Sequence, residues 1–148
     1  MTLDPELEGA ALRLLALRDH SRRELAAKLH RRGYAPDAVA SLLEELVAKG
    51  LLCEARLAEH YVAERLRKGF GPLRVREELH RKGLPDEVID PHLRLSDDRW
   101  RELITMAHDK RFGPAKSQDP REQARRGRFL ESRGFPVGLI RSLLFDDQ

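Results

Sequence analysis

A single cysteine, Cys53, stands in a chain of 148 residues. No internal disulfide and no multi-cysteine metal site can form, a usage that fits a reducing compartment. Aromatic side chains make up only 5% of the chain, and no sustained run alternates apolar with polar residues, which argues against strands. No apolar run approaches the roughly 20 residues of a membrane-spanning helix. The opening MTLDPELEGAALRLLAL carries acids and lacks the basic start of a secretory leader. These absences predict a soluble, cytoplasmic chain with no membrane partner. A glycine-rich phosphate loop of the Walker or dinucleotide type is missing too. KGFGP runs into a proline that opens a helix and reads as a turn, which argues against an NTPase.

What the chain does contain is charge. Charged residues are 36% of the total, above the roughly 25% of ordinary globular chains. The balance is 28 Lys plus Arg against 25 Asp plus Glu, a net charge of +3. So mild a surplus allows an anionic partner without requiring one. The length allows one ordinary domain or a few small units sharing a core.

Leu, Ala, Glu and Arg recur at spacings of three and four, the signature of amphipathic helices. Asp4 caps a first helix with Pro5 at its first position, and Leu7, Ala11, Leu12 and Leu15 form its apolar side, with Ala16 at the edge. Ser21 and Glu24 have the spacing of a capping box and open a second helix with Leu25 and Leu29 inward and Gly33 as its stop. Pro36 and Asp37 begin a third, with Val39, Leu42, Leu43 and Leu46 inward and Gly50 as its stop. The cycle then restarts with Leu57, Tyr61, Val62 and Leu66, continues from Pro72 through Val75 and Leu79, and ends on a short helix with Val88, Ile89 and Leu93, which Pro91 kinks or shortens. A third round starts at Ser96 or Asp97 with Trp100, Leu103, Ile104 and Ala107 and pauses through RFGPAKSQ. It resumes by the same capping logic at Asp119, Pro120 and Glu122, and Gly134 stops that helix.

Gly33, Gly83 and Gly134 fall in register with Val39, Ile89 and Ile140, and with Leu43, Leu93 and Leu144. That registration predicts three tandem three-helix repeats, over 4–52, 53–95 and 96–148, each too small to bury its apolar face alone. The fold class expected is all-α, an elongated array of stacked copies. The third copy is imperfect: Arg126 falls where Leu25 and Val75 point inward, and the gap is left to Phe129 or Ala124.

His30 and His80 occupy the same position in successive copies, on the flank of the apolar stripe, so both read as half-buried structural residues. No histidine belongs to an i, i+4 pair or a paired-carboxylate motif of the kind that holds zinc, so no metal and no cofactor is expected. Cys53 lies at a helix start with no base near it in sequence and reads as a packing or capping residue. RLRKGFGPLRVREELHRK sets seven bases against two acids, enough to hold phosphates or an acidic protein surface. Helical neighbours such as Arg74 with Glu78 and Glu77 with Arg81 offset part of that surplus. Phe70, in the turn between two basic segments, either stacks on a nucleobase or staples the turn.

GLLCEARLAEHYVAERLRKGFGPLRVREELHRKGL resembles the central segment of the RecX family of recombinase regulators. The family's closing pattern is present as Gly71, Val75, Glu78, Leu79, Lys82 and Gly83, and its opening as Gly50, Leu51 and Leu52. The sequence departs from it at Arg56, Leu57 and Ala58, where an aromatic often follows the arginine, and at Cys53 and Glu54. The likeness continues into SRRELAAKLHRRG and RFLESRGFP. It implies a curved array of three three-helix repeats, a monomeric, non-enzymatic regulator that engages the RecA filament on single-stranded DNA and restrains strand exchange, ATPase and the coprotease activity of the SOS response. On that reading two basic clusters meet acidic protein surface or DNA phosphates: Arg22, Arg23, Lys28, Arg31 and Arg32, and Arg65, Arg67, Lys68, Arg74, Arg76, Arg81 and Lys82. A general DNA-binding helical module without a recombinase partner is the alternative that the same clusters allow.

Overall fold

A computed structural model describes residues 4–145, and the last residues of the third repeat, 146–148, lie outside them, as do residues 1–3 of the acidic opening. Among the described residues there are nine helices and no strand. These are α1 (Pro5–Leu17), α2 (Arg22–Arg31), α3 (Pro36–Ala48), α4 (Glu54–Arg67), α5 (Pro72–Arg81), α6 (Asp86–Leu93), α7 (Asp97–Phe112), α8 (Pro120–Ser132) and α9 (Val137–Phe145). The chain divides into two compact units. One takes the chain up to Glu59 together with Leu79–Ile89, and the other takes His60–Glu78 and the chain from Asp90 onward. The division passes through α4, α5 and α6.

Local chemistry sets the helix starts. Asp4 accepts the Glu6 N–H at 2.9 Å with Pro5 in the first turn. Ser21 and Glu24 complete a reciprocal capping box. At α8 the box stays open: Asp119 accepts the Arg121 N–H, while Glu122 is drawn to Arg125 and Arg126 instead. Pro91 lies inside α6, which is only eight residues long.

In the first unit α1 buries Leu7, Ala10, Ala11 and Leu14 against Leu25, Leu29, Val39, Leu42, Leu43, Leu46 and Leu52. The α1 stripe therefore runs one residue away from the expected one: Leu14 is inside, Leu15 is half-buried, and Leu12 and Ala16 face solvent. Spacings of four and then three keep 7, 11 and 14 on a single narrow face. In the second unit Ile104, Ala107, Leu130, Phe135, Ile140 and Leu144 form the core. Arg126 keeps the inward position of the third copy. It donates to Glu122 at 3.0 Å and to the Ala115 carbonyl at 2.8 Å, and it lies 5.1 Å from the Phe112 ring. Phe129 packs beside this core, whereas Ala124 is exposed and fills nothing.

The second helix of every repeat ends alike. Gly33, Gly83 and Gly134 have φ of 93°, 95° and 99°, and the residues after them, Tyr34, Leu84 and Phe135, donate back to Leu29, Leu79 and Leu130. These are Schellman closures, for which the left-handed glycine is the enabling residue. Within the first unit the end of α5 abuts the start of α2: the Ser21 hydroxyl donates to the Lys82 carbonyl, and a Cβ on Gly83 would lie 2.8 Å from Cβ of Arg23. Within the second unit the end of α8 abuts the start of α5. There the Gly71 N–H donates to the Arg133 carbonyl at 2.7 Å and the Leu73 N–H to the Gly134 carbonyl at 3.0 Å, and a Cβ on Gly134 would lie 2.6 Å from the Arg74 nitrogen. Donors at one helix's start thus satisfy carbonyls at another's end, with the dipoles head to tail.

A Cβ on Gly33 would meet nothing within 4 Å, so Gly33→Ala should cost only the backbone term, about 1–2 kcal/mol. Gly134→Ala should cost that plus about 1–3 kcal/mol of overpacking. Denaturant unfolding of the two variants checks this; equal losses would contradict the clasp.

Candidate partner-binding surface

Of the twelve cations singled out in the sequence, most are engaged inside the protein. The Arg22 guanidinium pairs with Glu44, and its backbone N–H donates to Glu54 at 3.0 Å. The Arg23 stem lies at the Gly83 contact. Arg65 grips Glu78 through two bonds of 3.0 and 2.9 Å, a bidentate geometry that fixes both partners. Tyr61 donates to the same carboxylate at 3.0 Å; burial, followed by that bond, pushes its phenol up to about 12. Arg74 reaches Glu78 at 3.5 Å and the Ser132 carbonyl at 3.1 Å. Arg76 pairs with Asp90 at 3.0 Å. Phe70 is buried under the guanidiniums of Arg65, Arg74 and Arg133, which lie 3.7, 4.5 and 4.6 Å from its ring centre. Phe70 therefore staples its turn and offers no face to a nucleobase.

Lys82 is joined to the capping box of α2, and Lys28 to His20 just before it. His20, 1% exposed, donates from Nδ1 to the Arg18 carbonyl at 3.0 Å and accepts from the Lys28 ammonium at Nε2, 2.8 Å away. The carbonyl can only accept and the ammonium can only donate, which fixes the neutral tautomer. Burial lowers the pKa of both groups. Glu24 accepts from the Ser21 N–H at 3.0 Å, from Arg18 at 3.1 Å and from Lys82 at 3.4 Å. Burial pushes its carboxyl up, but the Ser21 and Arg18 hydrogen bonds and the Lys82 charge outweigh that and hold it at about 2.

What faces solvent is the end of each basic helix. Arg31, Arg32 and Arg67 are exposed and form no ion pair among the described residues, and Arg81 is also exposed. Lys68 reaches only Glu64, at 2.9 Å, with both side chains about half exposed. Sequence reading missed Lys110, Arg111 and Arg133, at the ends of α7 and α8. A signal was present for one of them: Arg133 precedes Gly134 as Arg32 precedes Gly33 and Lys82 precedes Gly83. His30 and His80 are exposed, not half-buried, and His80 contacts Asp86. Cys53 precedes α4 and its carbonyl accepts the Leu57 N–H at 3.1 Å. Among the described residues no group of three or more His, Cys, Asp or Glu is placed to hold a metal ion, and no helix is long and apolar enough to cross a membrane.

Three family models match in tandem: the first three-helix domain of RecX over residues 9–46, the second over 54–93 and the third over 97–144. The chain belongs to the RecX family. A regulatory protein RecX of Halorhodospira halophila is 44% identical over 136 residues, covering 92% of this chain and 84% of that protein. One of Chromohalobacter salexigens is 47% identical over 131 residues, covering 88% and 86%. Both carry the name of a regulator, not of an enzyme. The crystal structure of RecX from Lactobacillus salivarius shares the fold with a TM-score of 0.76 at 20% identity, over 93% of this chain and 92% of that one. A second RecX crystal structure gives 0.78 at 19% identity, over 96% and 72%. RecX membership therefore places all three helical domains on one chain.

Because the folded pKa of Glu24 lies below its ordinary value of 4.5, its contribution to stability is full above that value and is lost as the pH falls toward 2. The melting-temperature gap between the parent and Glu24→Gln should therefore close over that window. A gap independent of pH would contradict the assignment.

Proposed function

We propose that this RecX-family chain binds the RecA nucleoprotein filament and restrains its strand-exchange, ATPase and coprotease activities, acting as a cytoplasmic monomer without making or breaking bonds. The observation that carries the reading is the match of three consecutive RecX domains across the chain. Repeat boundaries at 4–52, 53–95 and 96–148 belong to the same proposal. Within the two basic clusters, the contacts fall to the outward cations Arg31, Arg32, Arg67 and Lys68, since Arg22, Lys28, Arg65, Arg74, Arg76 and Lys82 are already engaged within the protein. Two weak patches on one chain reinforce each other on a periodic partner through effective concentration.

The direct assay is RecA strand exchange and DNA-dependent ATP hydrolysis with and without the chain, and inhibition that saturates with dose is expected. Arg31→Glu with Arg32→Glu should weaken filament binding by about tenfold, or about 1.4 kcal/mol, with helical circular dichroism unchanged. Binding to bare single-stranded DNA as tight as to the filament, with the same salt dependence, would instead favour a general DNA-binding module.

A further inference from the structure

In the second unit the ends of α4, α7 and α8 line a cleft of about 250 Å³, with Lys68, Lys110, Arg111 and Arg133 around it, Phe129 in its wall and no carboxylate in its lining. Cations gather at helix ends for an ordinary reason, the partial negative charge of the C-terminal carbonyls. That reason falls short here. A helix end carries about half a charge, so three supply at most about one and a half against four cations. The final carbonyls are also already met by backbone: Gly69 and Phe70 donate to Leu66 and Arg65, and Gly134 and Phe135 to Glu131 and Leu130.

Lys68 reaches Glu64. Lys110, Arg111 and Arg133 make no ion pair among the described residues. Arg111 and Arg133 lie 5.2 and 4.9 Å from the centre of the Phe129 ring, which Phe112 holds edge-on at 5.4 Å. Stacking engages the flat faces of the guanidiniums and leaves N–H groups at their edges for a tetrahedral oxyanion.

We propose that this cleft binds a phosphate ester. Its volume lies below the roughly 300–1,000 Å³ of pockets that enclose a whole organic ligand, so it seats the phosphate and adjoining sugar atoms and leaves the remainder outside. Either a free nucleotide or the backbone of a single strand supplies that chemistry. The proposal needs no recombinase and stands or falls apart from the filament reading.

The test compares Lys110→Ala with Arg111→Ala, both exposed, against Arg121→Ala with Arg128→Ala, which removes the same charge from two exposed positions outside the cleft. Each double variant and the parent are titrated with labelled oligothymidylate, with ATP and with polyglutamate over a range of salt, and folding is checked by circular dichroism. The cleft variant should lose about tenfold in affinity for the phosphate probe. On the strand its salt slope should shrink by about 0.7 for each cation lost, while the control variant holds closer to the parent. Loss confined to oligothymidylate assigns the phosphate to a strand, and loss confined to ATP assigns it to a free nucleotide. No phosphate binding by the parent, equal losses in both double variants, or polyglutamate binding as tight and as sensitive as either phosphate probe would each overturn the proposal.

Discussion

The structure depends on an end-to-end contact between second helices, made twice, once in each unit. A Schellman closure turns the chain away at Gly83 and at Gly134 and leaves the carbonyls of Lys82, Arg133 and Gly134 pointing outward along the helix. Left unpaired and shielded from water, such a carbonyl costs about 1–3 kcal/mol. Ser21 answers it in one unit, and the amides of Gly71 and Leu73 answer it in the other. The approach is close enough that a single added carbon collides with Arg23 or Arg74. One glycine therefore serves two needs, the left-handed closure of its own helix and the room for its neighbour. Gly33 serves only the first.

That contact also explains how the chain uses its charge. Arg74 anchors the end of α8, Lys82 reaches the capping box of α2, and Arg65 locks Glu78 beside Tyr61. Buried or half-buried pairs of this kind fix geometry more than they add net stability. With so many bases engaged internally, the net charge of +3 is a poor guide to the binding surface. The outward charge sits where a helix stops, at Arg31, Arg32, Arg67 and Lys110.

Much of the fold was legible in the sequence, because caps, stop glycines and apolar spacing are local. Ser21 with Glu24, Pro36, and the register of Gly33, Gly83 and Gly134 all point to the helices observed. The α1 stripe was less so: Leu12, Leu14 and Leu15 are all apolar, and only the neighbouring helices decide that Leu14 is inside. The expected binding residues were legible as a charged composition but not as individual roles. Arg65 and Glu78 lie thirteen positions apart on different helices, and nothing local distinguishes Arg65 from Arg67. Phe70 invited a stacking role until three guanidiniums were found over it. The Lys110, Arg111 and Arg133 cleft is assembled from three separate helix ends, which no single motif spells out.

The contact at Gly83 is tested most directly by a double-mutant cycle on unfolding free energy, combining Gly83→Ala with Arg23→Gly. Removing the Arg23 side chain opens the space that the new methyl needs, so the pair should be less destabilised than the sum of the singles by about 1 kcal/mol or more. Strict additivity would mean that the end of α5 and the start of α2 do not constrain one another, and the clasp would be refuted.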